Sequence, residues 1–97
     1  MKERMEKLVE LVMQAKKLVD WDMYVRINEP PTYGPEVFIT SKITFDEVVN
    51  ALGGEVQTTP RKTEEYPYEH SFRFGGVKFY MISEEEKYAK NSEETGS

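Results

Sequence analysis

The chain has 97 residues, no cysteine, 32% charged residues and a formal net charge of −5. That length makes one domain with a modest core and leaves little room for a deep substrate cavity. Without cysteine there is no disulfide framework and no thiolate metal site, and the composition fits a reducing compartment. The start of the chain, Met1-Lys2-Glu3-Arg4-Met5-Glu6-Lys7, is too highly charged to read as a signal peptide. No later apolar run is long enough for a membrane span, so a cytoplasmic protein is expected.

The acidity is uneven. Residues 83–97 hold five acids against two lysines, and residues 1–82 hold 13 acids against 11 bases. The body is therefore nearly neutral, without the basic stripe that drives nucleic-acid binding. The expected organisation is a single α+β domain over 1–82, followed by an acidic, partly disordered tail over 83–97.

Residues 2–20 read as an amphipathic helix. Met1, Leu8 and Ala15 form one heptad column, Leu11 and Leu18 a second, and Met5, Val12 and Val19 a third. The columns adjoin at 100° per residue, giving the broad stripe of a core-facing helix. Glu6, Glu10, Gln14 and Lys17 occupy the opposite side.

Met23, Val25 and Ile27 alternate with polar neighbours, as in a half-buried strand. Three prolines and a glycine between Pro30 and Pro35 exclude a regular element there. A second strand is expected from Glu36 to Ser41, with Val37 and Ile39 on one face and Phe38 and Thr40 on the other. The two strands suit a hairpin. Thr44 and Glu47 match a capping box, flanked by Ile43 and Val48 at the staple positions. A helix over 45–52 follows, ended by Gly53 and Gly54.

Residues 55–61 suit a strand limited by Pro60. The clearest signal comes next: two alternating segments flank Gly75-Gly76, a pair suited to a type I′ turn. That register sets Phe74 opposite Val77, Phe72 opposite Phe79 and His70 opposite Met81. The fold expected is an antiparallel sheet of four to five strands with two helices packed on one face, in the order α-β-β-α-β-β-β. Its core would draw Leu8, Val12 and Val19 from the first helix and Phe45, Val49 and Leu52 from the second. The strands would add Val25, Ile27, Val37, Ile39, Phe72, Phe74, Val77 and Phe79.

Catalytic equipment is sparse. His70 is the only histidine, and it points to the core face beside Met81, which suits a structural role. Asp46 and Glu47 open a helix, where its dipole favours carboxylates. Asp20 and Asp22 flank Trp21 at a helix end and keep that junction soluble. No zinc-protease, phosphate-loop or nucleophile-elbow motif occurs. A helix-turn-helix fails because a β-branched segment ending at Pro60 stands where the recognition helix belongs. No metal and no cofactor are expected, and the chain reads as non-enzymatic.

The favoured function is a protein-binding module. Two loops combine tyrosine, proline and acid, and they nominate Tyr33, Glu64, Glu65, Tyr66, Tyr68 and Glu69 as contact residues. Tyrosine offers contact area with few torsions to freeze, and proline lowers the ordering cost. The acids favour a partner with a basic surface. Size and the lack of catalytic groups fit a small accessory protein of a phage or other mobile element that inhibits a host protein. An alternative is nucleic-acid binding through the polar sheet face, using Arg26, Arg73, Lys78 and Tyr80. Another is a small enzyme or ligand-binding protein centred on His70. The chain is expected as a monomer or a weak homodimer joined through the first helix, where Leu11 and Leu18 lie at the stripe's edge.

Overall fold

The computed structural model describes residues 1–28 and 34–89. Within them the chain forms α1 (Lys2–Leu18), β1 (Met23–Arg26), β2 (Glu36–Ile39), α2 (Lys42–Leu52), β3 (Gln57–Pro60), β4 (Tyr68–Phe74) and β5 (Val77–Ser83). The class and the order α-β-β-α-β-β-β are those expected from the sequence. None of the helices among the described residues is long and apolar enough to cross a membrane.

The strands form one sheet in the order β1-β2-β5-β4-β3. β1–β2, β3–β4 and β4–β5 pair antiparallel, but β2 and β5 pair parallel. The sheet is therefore mixed rather than purely antiparallel. The reason is connectivity: α2 and the β3–β4 segment intervene, so the chain re-enters beside β2 in the same direction. The β4–β5 hairpin has the register expected from its sequence, with Phe74 opposite Val77, Phe72 opposite Phe79 and His70 opposite Met81. Gly75 and Gly76 both take positive φ, as the tight turn requires.

α2 begins one turn earlier than the capping box suggested. Ser41, not Thr44, is the N-cap, and its Oγ accepts from the Thr44 amide at 3.4 Å. Ile43 is consequently exposed and does not act as a staple. Gly53 closes the helix at φ 69°, its amide bonding the Val49 carbonyl at 2.8 Å.

The core is small. Ile39, Phe45, Val49, Phe72 and Met81 are its buried apolar residues, with Met23, Val37, Leu52, Phe79 and Tyr88 packed against them. Phe45 meets the rings of Phe72 and Tyr88 edge-on, at 5.8 and 5.6 Å between centroids. Tyr88 lies beyond β5 and also donates a hydrogen bond to the buried Asp46 carboxylate. Lys42 ties the same segment to α2 through Asp46 at 2.9 Å and the Ala89 carbonyl.

The larger departure is α1, which is not packed on the sheet beside α2. None of its residues is buried, and Leu8 and Val12 are 45% and 51% exposed instead of forming core. Val25, Ile27 and Phe74, also expected in the core, are exposed. α2 is short and covers the sheet around β2 and β5. The helix-covered face near β1 is left open.

Candidate functional site

Cross-strand partners share a face, so the register divides the sheet cleanly. Toward α2 point Met23, Val37, Ile39, Phe79, Met81, His70 and Phe72. The opposite face carries a row of Tyr24, Phe38 and Tyr80 and a row of Arg26, Glu36, Lys78 and Arg73. No helix among the described residues covers that second face.

The four residues nominated for nucleic acid do meet there. Their chemistry is largely engaged within the face itself. Arg26 sits 3.5 Å from the Glu36 carboxylate and donates to the Tyr80 hydroxyl at 3.3 Å. Lys78 pairs with Glu69 at 2.9 Å. The aromatic rings stack on one another, Tyr24 on Phe38 at 6.1 Å and Phe38 on Tyr80 at 5.0 Å. The Lys78 ammonium stands 5.1 Å from the Tyr80 ring centroid. Bases bind sheets by lying on free ring faces; here Tyr24 is exposed, and Phe38 and Tyr80 are half-buried. Burial and the nearby Glu36 raise the Tyr80 phenol above its ordinary range, which keeps it protonated.

The nominated protein-contact residues do not form one patch. Tyr33 lies outside the described residues. Glu64, Glu65 and Tyr66 are exposed in the β3–β4 loop. The loop is held from within: the Tyr66 carbonyl accepts from Arg61 Nη1 at 2.8 Å and from Thr63 Oγ1 at 3.1 Å. The Arg61 amide donates to the Pro67 carbonyl at 2.6 Å. Tyr66 borders a cavity of about 250 Å³ with Phe38, Ile39, Thr40 and Ile82. Strand alternation then sends Tyr68, half-buried, to the α2 side and Glu69 to the open face, against Lys78.

His70 is 2% exposed. Its Nε2 lies 3.0 Å from the Glu85 carbonyl, which can only accept, so Nε2 carries the proton. Nδ1 therefore accepts from the Thr58 hydroxyl at 2.8 Å. Desolvation is the main cause that lowers its pKa, and the Glu85 bond opposes it. With both nitrogens engaged in a buried neutral ring, His70 has the arrangement of a structural residue. Among the described residues no group of three or more histidine, aspartate or glutamate side chains is placed to hold a metal ion.

Asp22 departs from its expected solubilising role. It is buried, its Oδ1 lacks a hydrogen-bond partner among the described residues, and its carbonyl accepts from Thr40. Trp21 beside it is 88% exposed.

The feature that residue-by-residue inspection of the loops missed is α1. Met5, Leu8, Val9, Leu11, Val12 and Leu18 are all exposed on one broad side of the helix, with Arg4 and Lys16 set among them. Shallow grooves run along it, one lined by Met5 and Val9 with Lys2, Glu6 and Glu10, the other by Met5, Leu8 and Leu11 with Arg4 and Lys7. The signal is present in the three heptad columns, which suit either the protein's own sheet or a homodimer seam through Leu11 and Leu18; the sheet does not cover them. The chain matches no family model, no curated protein and no solved structure.

Proposed function

We propose that this chain is a non-enzymatic protein-binding module whose contact element is α1. One observation carries the reading: a 17-residue amphipathic helix has none of its residues buried by its own fold. In proteins most helical stability comes from packing of an amphipathic face, not from propensity. Exposed apolar surface of this kind is characteristic of interaction sites, and an amphipathic helix laid against a complementary apolar surface is a recurrent recognition mode. The braced loop bearing Glu64, Glu65 and Tyr66 is a secondary contact, with acids suited to a basic rim on the partner. A cytoplasmic setting suits a chain without cysteine. Inhibition of a host protein by occlusion, in a phage or mobile-element setting, is the version of this role that needs no chemistry from the module.

Site-specific photo-crosslinking in the producing cell tests the reading. A photoreactive residue at Leu11 should give discrete protein adducts, and the same residue at Lys17, on the polar side of α1, should not. Absence of adducts at Leu11, or equal adducts at both sites, would contradict it.

A further inference from the structure

We propose that α1 pairs antiparallel with α1 of a second copy of this chain. The inference rests on the protein-binding reading and names the partner.

The seam comes from the heptad pattern. Met5 and Val12 take the a-type positions, and Leu8 and Ala15 take the d-type positions. Reversing the helix about Glu10 places Met5 against Ala15 of the second copy and Leu8 against Val12 of the second copy. Each layer then joins a larger side chain to a smaller one, so the layers have similar volume. Val9 and Leu11 flank the seam, and each meets its own copy near the two-fold axis. This is the self-complementary surface that an isologous dimer needs.

A parallel pair lacks these matches. It opposes Met5 to Met5 and Ala15 to Ala15, one crowded layer and one empty one. It sets Leu11 beside Lys16 and Arg4 beside Val9, and it aligns the two helix dipoles unfavourably. It also brings both sheet bodies to one end, because each body follows the C-terminus of α1. The antiparallel pair puts the bodies at opposite ends. Its costs are Lys2 opposite Lys16 and Arg4 beside Leu18 of the second copy, both near the helix ends, where water and salt screen like charges and a long side chain keeps its charge in solvent.

The area sets the strength. A 17-residue helix offers a face about 25 Å long and about 10 Å wide, against about 800 Å² per partner in a standard interface. Such a pair belongs to the weak end and is governed by concentration.

Two measurements test it. Mass in solution should rise from 11.4 kDa toward twice that value as the protein is concentrated. The relevant range runs from about 1 µM to about 1 mM, where weak association is read. The absence of native cysteine makes orientation readable by disulfide trapping. Because no α1 residue is buried, Met5→Cys and Ala15→Cys keep the folded body. A mixture of the two proteins should oxidise to a mixed dimer in clear excess over either protein alone. A monomer at every concentration, or a dimer in which each variant crosslinks chiefly to itself, would overturn the pairing. A monomer whose Leu11 still gives adducts with a different protein overturns the second copy alone. A monomer without adducts overturns the protein-binding reading as well.

Discussion

The two helices carry comparable amphipathic patterns and meet opposite fates. α2 has 11 residues, and Phe45, Asp46 and Val49 are buried against the sheet. α1 has 17 residues, and none is buried. The difference lies in what each helix has to pack on. α2 is locked in place at both ends, by the Ser41 cap and Gly53, and it faces Ile39, Phe72 and Met81. α1 ends at the exposed Leu18 and Trp21, and the chain then turns into β1 without laying the helix on the sheet. Periodicity reveals which side of a helix is apolar. It does not reveal what covers that side.

Truncation sharpens this contrast most. Phe45→Ala removes a fully buried ring between Phe72 and Tyr88, and it should lower stability by roughly 3–5 kcal/mol in urea denaturation. Leu8→Ala in α1, measured on dilute protein, should change it by no more than about 0.5 kcal/mol, the range of exposed sites. Equal losses would mean that α1 is core.

Gly54→Ala should have the next largest effect. Gly54 sits just past the end of α2, and a Cβ there would overlap the buried Phe72 ring. Forcing that ring aside should cost roughly 1–3 kcal/mol, read as a lower urea midpoint.

A smaller effect should come from pH. The His70 pKa is lowered from 6.5 in the folded chain, mainly by burial. Below about 6.5 the unfolded chain therefore binds a proton that the folded chain resists, and stability should fall as pH drops through that window. Above it the contribution is fully present. His70 is the only histidine, so a urea midpoint that stays flat from pH 7.5 down to the folded-state pKa would contradict its burial as a neutral ring.

Much of the fold was legible from local chemistry. Gly75-Gly76 between alternating segments specified the β4–β5 hairpin and its register, because a two-residue turn leaves no slack. The alternation of Val37 and Ile39 with Phe38 and Thr40 specified the faces of β2, because successive side chains of a strand point to opposite faces. What escaped depends on long-range placement. Ser41 won the cap over Thr44 because α2 starts where β2 releases the chain. The parallel pairing of β2 with β5 has no local signature. Nor does the engagement of Tyr88, whose ring joins the core across more than forty residues from Asp46. The candidate site was half legible: the apolar columns of α1 stand in the sequence, and their exposure depends on where the sheet lies.

Hydrogen exchange on dilute protein tests the central claim, that α1 is uncovered by its own chain. Amides in residues 2–18 should exchange far faster than those in residues 42–52, and they should slow as the protein is concentrated. Protection of α1 equal to that of α2 at high dilution would contradict the account.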